Sequence, residues 1–82
     1  MKKIVLEDKI KDIIEDKLGI NRDEITMDAD LRKDLSADSL DISELIMALE
    51  NEYSVSIPET DMINIKTVGD VVEYLYQKTE QS

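Results

Sequence analysis

Apolar residues return every three or four positions in three separate stretches of the chain, and this spacing constrains the fold more than any other feature. Leu6, Ile10, Ile13, Ile14 and Leu18 form the first stripe, with Lys9, Lys11, Asp12, Glu15 and Asp16 on the opposite face. That is an amphipathic helix with one side in a core, and the spacing predicts it over 4–18. Gly19 supplies a left-handed stop, and Ile20 stands where the chain makes its apolar contact back onto the last turn. A second stripe, Ile42, Leu45, Ile46, Leu49 and Tyr53, predicts a core-facing helix that Ser54-Val55-Ser56 ends. A third, Val68, Val71, Val72 and Leu75, predicts a helix ending near Gln77 with 78–82 as a frayed tail. Thr67 and Asp70 are spaced as its capping box. Ile57-Pro58 opens a shorter segment expected to be helical from Glu59 to about Ile65. Val71-Val72 is β-branched, but a two-residue run cannot support a sheet. The reading is all-α: one domain over residues 1–82, with four helical segments, a short third one, and a long loop between the first and second.

The chain has no Cys, His or Trp, which removes thiol nucleophiles, the usual general base and the usual zinc ligands. An enzyme is not expected, nor a metal site. A net charge of −10 argues against nucleic acid and anionic membranes and for basic partners. No apolar run is long enough for membrane insertion, and Met1-Lys2-Lys3 is followed by charge rather than by a secretory apolar core, so the expectation is a cytoplasmic monomer.

Residues 21–37 carry no sustained period, but Ile25, Met27, Leu31 and Leu35 are spaced like anchors. A connection of this length in a small domain is expected to be tied down by its own side chains, with a short helical turn near Leu31. Asp28-Ala29-Asp30 followed by Asp34 has some of the spacing of a calcium loop, but the required Gly and closing Glu are missing.

Asp38-Ser39-Leu40-Asp41 leads into the second stripe. Asp38 and Asp41 are spaced as a capping box, and both carboxylates favour the positive end of a helix dipole. This accounts for the acids and not for Ser39, since alanine is the better first-turn residue. Ser39 is therefore the candidate functional hydroxyl, held at the mouth of a helix and ringed by carboxylates. Between Asp34 and Ile65 there is no Lys or Arg, while Asp34, Asp38, Asp41, Glu44, Glu50, Glu52, Glu59 and Asp61 all lie there. A solvated face explains such a run as well as a docking face does. Leu40, Ser43, Glu44 and Met47 fall on the outer side of the helix, which sets two apolar residues beside carboxylates and favours docking.

Asp38-Ser39-Leu40-Asp41, followed by Glu44-Leu45-Ile46-Met47-Ala48-Leu49-Glu50 and Ile57-Pro58, resembles the acyl carrier proteins of dissociated fatty acid synthesis. The likeness runs from Leu6 to Tyr76. It implies a four-helix bundle with phosphopantetheine, donated by coenzyme A, carried on Ser39 between Asp38 and Leu40. Growing acyl chains would be held on that arm as thioesters and presented to fatty acid synthesis enzymes. It also implies that Asp38, Leu40, Asp41, Glu44, Met47, Glu50 and Glu52 meet basic patches of a phosphopantetheinyl transferase and of synthesis or acyltransferase enzymes. An acyl cavity lined by Ile46, Leu49, Ile57, Ile65, Val71 and Leu75 would follow.

The chain departs from the family pattern at Ser36, where Gly is usual, at Ser43, where Val is common, and at Leu31 and Tyr53, where Phe is frequent. Two alternatives follow: a carrier for a specialised pathway such as a polyketide, and an unmodified acidic interaction module.

Overall fold

The computed structural model describes residues 2–80. Four helices follow one another: α1 (Lys3–Leu18), α2 (Ser39–Tyr53), α3 (Glu59–Met62) and α4 (Val68–Glu80), with a 3-10 turn at Arg22–Glu24 between the first two. Among the described residues there is no strand, and one isolated β-bridge joins Asp30 to Thr67.

The three stripes make the core. Leu6, Ile10 and Ile14 of α1, Leu45, Ile46 and Leu49 of α2, and Val68, Val71, Val72 and Leu75 of α4 are buried in one cluster. α1 packs against both α2 and α4. Gly19 takes the left-handed conformation (φ 65°) and donates its N–H to the Glu15 carbonyl at 2.9 Å. Ile20, half-buried, packs back on the core. The α4 capping box forms as spaced: Asp70 N–H donates to Thr67 Oγ1 and Thr67 N–H to Asp70 Oδ2, both at 3.1 Å.

The long loop is tied down at both ends of its run. Ile25, Leu31 and Leu35 are buried and Met27 is half-buried against the core. Asp34 N–H and Leu35 N–H both donate to the Asp30 carbonyl, which makes the turn near Leu31. Three backbone bonds then sew the loop to the start of α4: Leu31 N–H to Lys66 O (2.9 Å), Val68 N–H to Ala29 O (3.0 Å) and Gly69 N–H to Met27 O (2.7 Å). Gly69 is needed for that last approach, because a Cβ there would stand 2.8 Å from the Met27 oxygen. The Arg22–Glu24 turn had no apolar signal. It is fixed by Asn21, whose side chain accepts from Asp23 N–H, and by Arg22, which pairs with Asp8 and Asp12 of α1.

Two helix ends differ from the sequence reading. α3 is a helix for four residues only, since Asn64 N–H and Ile65 N–H turn back on the Asp61 and Met62 carbonyls in tighter i→i−3 bonds. α4 runs on to Glu80 instead of ending near Gln77. Its last turn is held by polar contacts that apolar periodicity does not register: Thr79 Oγ1 donates to the Leu75 carbonyl (2.9 Å), and Lys78 lies 5.5 Å over the Tyr74 ring, at the negative end of the helix. The frayed tail expected at 81 and 82 lies outside the described residues.

Candidate functional site

Ser39 is the first residue of α2, and the turn that presents it is closed from both sides. Asp41 N–H donates to Asp38 Oδ1 at 2.9 Å, and Asp38 N–H donates to Asp41 Oδ2 at 3.3 Å, a reciprocal capping box. The backbone on either side of Ser39 is thus fixed while its side chain is exposed, with no hydrogen-bond partner among the described residues. The carboxylates that flank it, Asp38 and Asp41, are each engaged by a backbone N–H of the capping box.

The approach to this helix is strained at one position. Ser36 has φ 58°, in the left-handed region that costs a residue with a Cβ about 1–2 kcal/mol. This is the position where the sequence departs from glycine. Ala37 then donates its N–H to the Leu31 carbonyl (2.9 Å), which anchors the turn on the loop.

The residues expected to dock partners divide into two sets. Asp38, Leu40, Glu44 and Met47 are exposed and Asp41 is partly so, with Leu40 at 67% and Met47 at 60% accessibility. Leu40, Glu44 and Met47 succeed one another on one face at helical spacing. Glu50 and Glu52, placed in the same docking set by the sequence, each have a partner within the chain. Glu50 Oε2 accepts the Ile57 N–H at 2.7 Å, drawing its carboxylate toward the chain before α3, and Glu52 lies 3.7 Å from Lys9 of α1. Sequence reasoning had no access to either partner, since both lie on other elements.

The six residues expected to line an acyl cavity fall in two places. Ile46, Leu49, Ile57, Val71 and Leu75 are sealed in the core. The open space lies one layer outward: a groove of about 420 Å³ between the loop, the first turns of α2 and the α3 region, which Ile65 alone of the six reaches. Leu31, Ile42, Met62 and Ile63 are its other apolar walls, and Asp30, Arg32, Lys33 and Lys66 its charged ones. Asp30 Oδ1 accepts the N–H of Lys33 and of Arg32, which holds its carboxyl below the usual carboxylate range. Together with Asp34 Oδ2, which accepts Asp30 N–H, this spends the loop's acidic pattern on its own backbone. Ile63, 74% exposed, was missed because it belongs to no stripe.

α3 is latched to α4 by Tyr74, whose hydroxyl donates to Asp61 Oδ2 at 2.6 Å. Burial, then that hydrogen bond and the Asp61 charge, push the Tyr74 phenol up to about 12. The Tyr53 hydroxyl, by contrast, is enclosed without a hydrogen-bond partner among the described residues.

A small helical bundle without Cys or His that holds an unengaged hydroxyl on a doubly capped turn has the form of a domain that carries a group rather than transforming one. A family model for the phosphopantetheine attachment site matches residues 8–75. The chain is 60% identical over 74 residues to the acyl carrier protein of Clostridium perfringens strain SM101, covering 90% of this chain and 97% of that one. The same figures hold for strain 13. A solved structure of a candidate acyl carrier protein from Mycobacterium tuberculosis superposes with a TM-score of 0.81 at 39% identity, over 87% of this chain and 95% of that one. The chain belongs to the acyl carrier proteins: it is a carrier, not an enzyme, and its cofactor is phosphopantetheine. Among the described residues no helix is long and apolar enough to cross a membrane.

Proposed function

We propose that Ser39 is the residue to which phosphopantetheine is joined, within a single carrier domain spanning the chain. The observation that carries this reading is the exposed, unpartnered Ser39 hydroxyl on a turn closed by Asp38 and Asp41, inside the Asp38-Ser39-Leu40 motif. The site fits the group: the hydroxyl is free for phosphodiester formation, and a groove with apolar walls begins at Ile42, one helical turn away. When joined, the arm supplies the thiol on which an acyl group rides as a thioester, which suits a chain with no cysteine of its own.

The cargo is then presented in the cytoplasm to fatty acid synthesis enzymes by a monomeric carrier. Asp38, Asp41 and Glu44 face their basic patches, and Leu40 and Met47 make the apolar contacts beside them. Charges at such a rim raise association rate more than they hold the complex together, so the carrier can move between partners. Identity of 60% along nearly the full length of an acyl carrier protein supports this general role over a specialised pathway.

The test is the intact mass after incubation with coenzyme A, Mg²⁺ and a broad-specificity phosphopantetheinyl transferase. The parent chain should gain one arm and Ser39→Ala none. A gain on both would mean that another serine carries the group.

A further inference from the structure

The two apolar residues exposed on the outer face of α2, Leu40 and Met47, differ in one chemical respect: the Met47 thioether can be oxidised and the Leu40 side chain cannot. Of Met27, Met47 and Met62, only Met47 is exposed, at 60% accessibility, while Met27 and Met62 are half-buried against the core. Its surroundings are polar on one side. Met47 shares an open groove with Lys17 of α1 and with Glu44, Ala48 and Asn51 of α2. Asn51 follows Met47 by four residues and so lies on the same helix face one turn on. Lys17 and Asn51 are exposed, and among the described residues neither side chain makes an ion pair or a hydrogen bond. Both bring N–H donors to a groove in which the methionine sulfur is a poor acceptor.

Resting on the reading of Met47 as a docking contact, we propose that Met47 is a reversible oxidation site whose sulfoxide withdraws that contact from partners. The oxidant is a peroxide. A lone pair on the Met47 sulfur attacks one peroxide oxygen, the S–O bond forms as the O–O bond breaks, and the other oxygen leaves as water with both protons. Sulfur gives up two electrons and the peroxide takes them. The product exchanges a soft apolar tip for a polar oxygen that accepts strongly. Glu44, as a carboxylate, offers that oxygen no proton, whereas Lys17 and Asn51 do. The oxidised side chain is therefore held down in the groove and no longer stands beside Leu40 as an apolar contact. A dithiol-dependent sulfoxide reductase reverses the step, the oxygen leaving as water and the two thiols closing to a disulfide. Because Met27 and Met62 pack inward, the fold persists through the cycle.

Limited treatment of the full chain with hydrogen peroxide, followed by peptide mapping by mass, locates the added oxygen. Met47 should react before Met27 and Met62, and equal reaction at either of those would overturn the inference. Arm transfer from coenzyme A by the phosphopantetheinyl transferase gives the second readout. With Met47 oxidised, the KM for the carrier should rise about fivefold at unchanged kcat, the loss expected when roughly half a methionine side chain no longer leaves water at a contact. Peroxide should leave the KM of Met47→Leu at its own untreated value, and a methionine sulfoxide reductase with dithiothreitol should return the parent to its starting KM. The Asn51 side-chain amide signal should move when the parent is oxidised and stay in place in treated Met47→Leu. A fixed Asn51 signal in the oxidised parent would overturn the placement of the oxygen. Met47→Ala separates the two readings. A KM raised by Met47→Ala but not by the sulfoxide overturns the oxidation switch and leaves the docking contact standing, and a KM raised by neither overturns the docking contact and this inference with it.

Discussion

α2 and α3 border the same groove and are built in opposite ways. α2 has fifteen residues, a reciprocal capping box at its start, and Leu45, Ile46 and Leu49 buried against α1 and the core. α3 has four residues, no side-chain cap and no buried residue of its own. It is held instead from outside, by Glu50 reaching the chain just before it and by Tyr74 reaching Asp61. On the proposed attachment at Ser39, the difference teaches how a small bundle reconciles a fixed attachment point with a changing cargo. The element that presents Ser39 is stabilised by packing, whereas the facing wall is stabilised by a few polar contacts that can be exchanged for others.

The largest effect should come from breaking the packed side. Leu49→Ala removes a fully buried side chain from α2 and should cost about 2–5 kcal/mol in chemical denaturation, whereas Met62→Ala, half-buried in α3, should cost less than half of that. Equal costs would remove the contrast between the two elements.

A smaller effect sharpens the fixed side. Ser36→Gly relieves the left-handed backbone before α2, worth about 1–2 kcal/mol, but adds unfolded-chain freedom worth about 0.5–1 kcal/mol. The net expectation is a gain of between about 0 and about 1.5 kcal/mol in stability, with transfer of the arm unchanged. A loss of stability would mean that the Ser36 side chain does more than tolerate its conformation.

The smallest effect tests the latch on α3. The Tyr74 phenol is raised in the folded chain, mainly by burial and then by Asp61, so the folded state keeps its proton where the unfolded state releases it. Its contribution is therefore complete below about pH 10 and is lost as pH rises toward about 12. Stability measured over that window should fall with a slope that Tyr74→Phe reduces, the rest coming from Tyr53, raised by burial, and Lys3, raised by its hydrogen bond to Glu73. An unchanged slope in the variant would assign the alkaline loss to other groups.

What could be read in advance follows the same division. The α1, α2 and α4 stripes, Gly19 as a stop, both capping boxes and the candidate serine were legible because each depends on residues within a few positions of one another. The short extent of α3 was not, because Ile63 and Ile65 are apolar yet the chain there tightens into i→i−3 turns. Glu50 and Glu52 looked like free acids of a docking face, and their partners, the Ile57 N–H and Lys9, are set by packing between elements. The groove was hidden most completely. Arg32 and Lys33 lie far from Lys66 in the chain, and only the sewing of the loop to the start of α4 makes them neighbours.

Native-state hydrogen exchange of the unloaded chain, read amide by amide, tests the division most directly. The account predicts that the Met62, Ile63 and Ile65 amides open at a far lower free energy than those of Leu45 and Leu49, which should exchange only on global unfolding. Equal protection across α2 and α3 would contradict it, since the wall of the groove would then be as fixed as the helix that presents Ser39.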